Sequence, residues 1–281
     1  MSFYHGRAYS VLHPTDFSEA SEAAFGHALA IALRNKADLT ILHVAPEKNH
    51  EVRWQDFPSV RKTLERWGLL KSGSHKSEVE DQFGIQVQKH LAVGTNAIDA
   101  IVGLTEVDSF DLLVMGTHAN EQGTIFSRPT NSVKIAQRLQ LPTLFVTAGT
   151  RSCVDVQTGQ TSLRKVLLAV DHEPKAQPAV NRVVTMLQGL GDSDAQVNLL
   201  YVGQEEEFPQ VDPPSESEVT WTRTVRHGSP AAEIVHQAAE MEADLIVMVT
   251  SGKRHLRDII AGSTVQNVLK NAPCPVFTLP N

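Results

Sequence analysis

Cysteine is almost missing from this chain: Cys153 and Cys274 are the only two in 281 residues. Two thiols that far apart make no disulfide framework and point to a reducing compartment. A basic excess is missing too. Lys and Arg number 25 against 32 Asp and Glu, a net charge of −7. That excludes a general nucleic-acid-binding surface and mostly reports solubility. No apolar run approaches the roughly 20 residues that cross a bilayer. The opening stretch, MSFYHGRAYSVLHP, lacks the apolar centre of a secretory signal. A cytoplasmic protein with neither membrane nor nucleic acid as partner is the expectation. Tryptophan is scarce: Trp54, Trp67 and Trp221 are scattered and form no stacking platform for bases. The chain has no Walker GxxxxGK(S/T) and no GxGxxG after a strand. It has no CxxC or HxxxH pair. A set of Asp16, His43 and His118 is the one metal arrangement the expected topology offers, and chance proximity explains it better.

What is present is a pattern of short apolar runs alternating with helical stretches. Ala243 to Pro280 reads as strand, glycine-containing loop, helix, strand. Asp244 to Val249 is the continuous apolar run of a buried parallel strand. Gly252 follows it, then Gly262, Ser263 and Thr264, which open a helix carrying Val265, Val268 and Leu269. Free backbone N–H groups and two hydroxyls at such a helix start are donors for phosphate. Small residues matter there because a Cβ would hold the anion away from the backbone.

The chain also repeats itself. Ser10 to Asp16 is answered by Lys165 to Asp171, and Leu39 to Val44 by Val197 to Val202. Gly94-Thr95 is answered by Gly228-Ser229, Asp111 to Met115 by Asp244 to Met248, Ser132 by Ser263, and Pro142 by Pro273. The length suits two domains. We assign residues 1–148 to the first, 149–163 to a linker open to protease, and 164–281 to the second. Between its second and third strands the second half is shorter. The replacement, Gly203 to Ser217, is acidic and proline-rich and reads as a mobile loop. Each copy is predicted to be α/β, with a parallel sheet covered on both faces by helices.

The segment Gly252-x9-Gly262-Ser263, repeated partners included, resembles the universal stress protein family over essentially the whole chain. ATP-binding members of that family carry Gly-x2-Gly-x9-Gly-Ser/Thr at this place; here Val249 replaces the first glycine. The resemblance implies two tandem Rossmann-like domains, each a five-stranded parallel sheet of order 3-2-1-4-5. It implies an adenine nucleotide, ATP or AMP, in the second half, with magnesium only as the companion of ATP. Asp171 would contact the ribose and the Val202 backbone the adenine. Val249, Gly252, Gly262, Ser263 and Thr264 would surround the phosphates, with Lys253 and Arg254 beside them. In the first half Ala119 replaces a glycine, the loop before Ser132 is longer, and Pro129 removes a donor. That copy is read as degenerate.

No catalytic set is evident. The expectation is a regulatory or signalling module of the stress response. A scaffold without nucleotide and a weak ATP hydrolase are the two alternatives. The edge strands, Thr143 to Thr147 and Cys274 to Leu279, imply by resemblance self-association, within the chain or as a homodimer.

Overall fold

A computed structural model describes residues 9–45, 52–94, 96–117, 131–190, 194–214, 219–250 and 262–281. Local chemistry explains where its elements start and stop. Helix α1 (Glu19–Asn35) begins where the Ser18 hydroxyl accepts the Ser21 N–H at 3.2 Å. Glu19 and Glu22 lie at its positive end and Arg34 at its negative end. Lys36, at φ 49°, stops it in a left-handed turn. Asn96 caps a later helix in the same way, through the Ile98 N–H.

The chain divides into two compact units. In the first, α1 lies between β1 (Ser10–Pro14) and β2 (Asp38–Ala45). Then come α2 (Val60–Arg66), α3 (Ser77–Phe83), β3 (Val87–Val93), α4 (Ala97–Val107), β4 (Leu112–Thr117), α5 (Asn131–Leu139) and β5 (Thr143–Thr147). The strands pair in parallel in the order β3-β2-β1-β4-β5. One face of this sheet packs Leu12, Leu42, Leu113 and Met115 against Ile101 of α4 and Ile135 of α5.

The second unit contains β6 (Lys165–Ala169), α6 (Gln177–Leu190), β7 (Gln196–Val202) and β8 (Thr220–Arg226). It continues with α7 (Pro230–Glu240), β9 (Leu245–Thr250), α8 (Gly262–Asn271) and β10 (Val276–Pro280). Its parallel order is β8-β7-β6-β9-β10. The implied order 3-2-1-4-5 therefore holds in both copies. Val166, Leu167, Val197, Leu199, Ile246 and Val247 are wholly buried on its inner strands. Among the described residues no helix is long and apolar enough to cross a membrane.

The connection between the repeats is not an open linker. Val154 and Thr161 form an antiparallel bridge that closes a hairpin. The carbonyl of Val156 accepts from Trp67 Nε1 at 3.0 Å and from Arg66 Nη2 at 3.2 Å. Gly159 lies under the Trp67 ring at φ 71°, where a Cβ would overlap the ring, and Val156 rests on Gly26 of α1. Composition alone favours a protease-accessible linker because its residues are small and polar; the groups that hold it lie on α1 and at the end of α2. We expect limited proteolysis to spare 154–161 in the native chain. Trp67→Ala should raise cleavage there about tenfold, the effect of roughly 1.4 kcal/mol of local stability.

The two cysteines, distant in sequence, fall close together in the second unit. The Arg151 N–H donates to the Pro273 carbonyl at 3.0 Å, bringing their flanking residues together. Both thiols are free. Burial first, then neighbouring negative charge, pushes each up to about 12, so neither is a reactive thiolate at neutral pH.

Candidate ligand crevice at the strand ends

In a parallel sheet of this order, neighbouring strands one and four send their connections to opposite sides, which opens a crevice at their C-terminal ends. The first unit uses its crevice groups internally. A Cβ added to Gly116 would stand 2.6 Å from the carbonyl carbon and oxygen of Ala20 and 2.7 Å from the Ser21 nitrogen. Gly116 is thus demanded by the close passage of α1. The Ser132 hydroxyl donates back to the Gly116 carbonyl at 3.0 Å. Asp16 accepts from the Ser18 N–H at 3.0 Å and the Ser18 hydroxyl at 2.6 Å, a local turn at the helix start. His43 turns Nδ1 to the Thr15 carbonyl at 2.8 Å. Among the described residues no group of three or more His, Cys, Asp or Glu is placed to hold a metal. His118, Ala119 and Pro129 lie outside the described residues.

In the second unit Asp171 follows the end of β6, is exposed, and accepts the His172 N–H at 2.7 Å. Val202 ends β7 opposite Arg226. Val249 lies near the end of β9 opposite Leu279 and is half-buried. Ala169 pairs with Leu200 on one side and Met248 on the other, so these three residues share one edge of three adjacent strands. Gly262 and Ser263 open α8, and Thr264 in its first turn is half-buried. Gly252, Lys253 and Arg254 lie outside the described residues.

Comparison of the halves explains the replacement at 249. Helix α1 begins three residues after Asp16, whereas α6 begins six after Asp171. With the helix starting later, the half-buried Val249 stands where the first unit has glycine.

A family model described as the universal stress protein family matches residues 9–147 and 215–280. The chain belongs to the universal stress protein family. It is 52% identical over 52 residues to one universal stress protein of Methanocaldococcus jannaschii, a match covering 18% of this chain and 31% of that relative's length. Against a second from the same organism it is 29% identical over 126 residues, 38% of this chain and 75% of the relative. The crystal structure of a universal stress protein from Archaeoglobus fulgidus superposes with a TM-score of 0.65 at 16% identity, covering 98% of this chain and 99% of that one. That likeness concerns the fold.

Both halves of this universal stress protein carry one feature that sequence reading missed. After the strand-ending aspartate comes a ring, Phe17 or His172. It meets a ring on the second strand, His43 at 4.1 Å or Tyr201 at 5.7 Å. That ring meets a phenylalanine from the following connection, Phe57 at 6.3 Å or Phe208 at 6.0 Å. A cation on the third strand completes each stack: Lys89 lies 5.8 Å over Phe57 and Arg223 5.2 Å over Phe208. Lys89 pairs with Ile41 and Arg223 with Leu199, equivalent positions three residues before Val44 and Val202. The legible signal was His43 facing Tyr201 in the repeat. The two phenylalanines were hidden because the connections differ in length.

In the second unit this stack pins the acidic connection. His172 Nε2 donates to the Glu207 carbonyl at 2.8 Å. Gln177 and the Asp212 backbone exchange two hydrogen bonds, at 2.7 and 3.0 Å. Val211 is buried. Residues 203–214, read from composition as mobile, form a strap over the turn after β6. Its few apolar residues each find a partner, which composition does not reveal.

Proposed function

We propose that this universal stress protein is a stress-response module that holds an adenine nucleotide in its second unit and acts by regulation, not by catalysis. The unequal use of the two crevices carries this reading. In the first unit Gly116 lies against the main chain of the α1 start and its carbonyl accepts the Ser132 hydroxyl. In the second, α6 starts later after the strand-ending aspartate, and Asp171, like Asp16, is exposed. The donors suit the ligand chemically: a carboxylate for ribose hydroxyls, a strand-end backbone at Val202 for the base edge, and a helix opened by Gly262, Ser263 and Thr264 for phosphate. Val249 and Gly252 complete the proposed set, and magnesium would enter only with a triphosphate. Self-association and a cytoplasmic location belong to the same reading.

Mass spectrometry of small molecules released from the purified chain, with calorimetric titration of ATP, ADP and AMP, tests it. Asp171→Ala and Gly262→Val should weaken binding at least tenfold, while Asp16→Ala leaves it unchanged. Heat lost only in Asp16→Ala would move the site to the first unit. Steady phosphate release that vanishes in Gly262→Val would make the protein a hydrolase.

A further inference from the structure

The proline in strand β1 leaves a gap that one side chain fills. Ser10–Pro14 lies between β2 and β4, a central position where proline is out of place because it cannot donate to the ladder. Pairing of β1 with β4 ends at Leu12 with Leu113. In the second unit the equivalent strands pair on, through Leu168 with Val247 and Ala169 with Met248. Ala169 stands where the first unit has Pro14, and Leu168 where it has His13. Proline has no N–H to give to β4. The Val114 carbonyl, next along that strand, accepts instead from His13 Nδ1 at 2.9 Å. A ring therefore replaces a main-chain donor at the point where the two strands part to open the first crevice.

The replacement carries a liability. The His13 ring is wholly buried and tilted against Phe25 of α1, centroids 6.0 Å apart. With Nδ1 donating, Nε2 is the acceptor nitrogen, and among the described residues nothing donates to it. A proton there would be a buried charge without a partner. Burial opposes that proton; the Val114 carbonyl and the charge of Asp16 favour it less strongly. On β2 the titratable neighbour on the same face is His43, bound to the Thr15 carbonyl at 2.8 Å. On α1, Glu19 and Glu22 are exposed and His27 is bonded to the Ala23 carbonyl. Strand β4 brings no ionisable side chain. The same corner holds the crevice shut: Ser21 Oγ donates to Thr15 Oγ1 at 2.7 Å, and the α1 start lies against Gly116.

We propose that His13 is an acid-released latch: neutral, it ties β1 to β4 beyond the break at Pro14; protonated, it leaves its burial and lets the strand ends and the start of α1 open the first crevice. The latch is independent of the nucleotide reading of the second unit. Opening is least above pH 6.5 and grows as pH falls toward 4. Between pH 7.5 and 5 the open population should rise about thirtyfold, the ratio set by a ring that titrates at 6.5 when free and at about 4 when buried.

Amide hydrogen exchange of the full chain tests the latch at pH 7.5 and 5, read on peptides covering 11–21 and 112–117 and corrected for the intrinsic pH dependence of exchange. The native seam should open about thirtyfold more at pH 5, and at a lower free energy than the β2 and β3 segments. His27→Leu should leave that rise unchanged. His13→Leu should open the seam about tenfold more at pH 7.5, because the Val114 carbonyl loses its donor, and should abolish the acid response. His13→Leu/Pro14→Ala, which restores a backbone N–H, should return the seam to native protection at pH 7.5, again without an acid response. A native seam that opens no more at pH 5 than at 7.5, or only together with β2 and β3, overturns the latch. So does an acid response that survives in either His13 variant, a His13→Leu seam as protected as the native one at pH 7.5, or a double variant no better protected than His13→Leu alone.

Discussion

Gly116→Ala should destabilise the first unit by about 3 kcal/mol, at the upper end of what overpacking costs. The added Cβ meets the carbonyl of Ala20 and the nitrogen of Ser21, main-chain atoms in the first turn of α1. A flexible side chain would give way. A helix start anchored by Ser18 and by the Ser21 hydroxyl, bonded to Thr15 at 2.7 Å, gives way only by breaking those bonds. Denaturant unfolding followed by circular dichroism reads the loss. The equivalent position of the second unit already carries a valine, so Val249→Ala should cost under about 1.5 kcal/mol. A Gly116→Ala chain as stable as the native one would show that α1 is free to shift. In that case the glycine would have to be explained by the crevice and not by packing.

Acid should unfold the first unit well above the carboxylate range, because of two buried histidines. His13 and His27 are both wholly buried. His13 donates Nδ1–H to the Val114 carbonyl at 2.9 Å, so its Nε2 is the acceptor nitrogen, and that atom is buried without a partner. His27 donates Nδ1–H to the Ala23 carbonyl, also at 2.9 Å. Burial lowers each ring from 6.5 to about 4. The unfolded chain therefore binds protons that the folded chain refuses between those two values. Stability is full above pH 6.5, falls as pH drops toward 4, and levels once the folded rings also protonate. The loss is about 3 kcal/mol for each ring, a large share of the 5–15 kcal/mol that holds a typical domain. Unfolding free energies measured from pH 7.5 to 4 should show this slope. His13→Leu and His27→Leu should each remove about half of it, whatever they do to stability at pH 7.5. An unchanged slope in both variants would assign acid unfolding to other groups.

The same two histidines show where sequence reading stops. His13 occupies an alternating strand, and nothing in Ser10–Pro14 says that its ring faces α1 and caps the pairing of β1 with β4. The strands, the helices between them and the internal duplication were legible, since each depends on spacing within one segment. Thr143–Thr147 is a strand as the spacing predicts, and other boundaries differ by a few residues. The third strand of the second unit, Thr220–Arg226, has no bounds legible in the sequence. Its alternation of Thr with Trp, Arg and Val is clear only beside Asn198, whose amide reaches the hydroxyls of Thr222 and Thr224 at 2.9 Å.

For the crevice, the motif marks strand ends and a helix start but not which groups are already engaged. Ser132 and Ser263 look alike in sequence. That Ser132 bonds to Gly116 follows from where α5 begins relative to β4, and that Gly116 must be glycine follows from the path of α1. The sequence by itself determined the repeat, its periodicity and family, because those are encoded in the order and polarity of neighbouring residues. Only the tertiary structure decided that the linker is clasped by Trp67, that an acidic strap is pinned by Phe208, and that the first crevice spends its polar groups on itself. Those outcomes depend on contacts between residues far apart in the chain, which packing and hydrogen bonding select only once the sheet is formed.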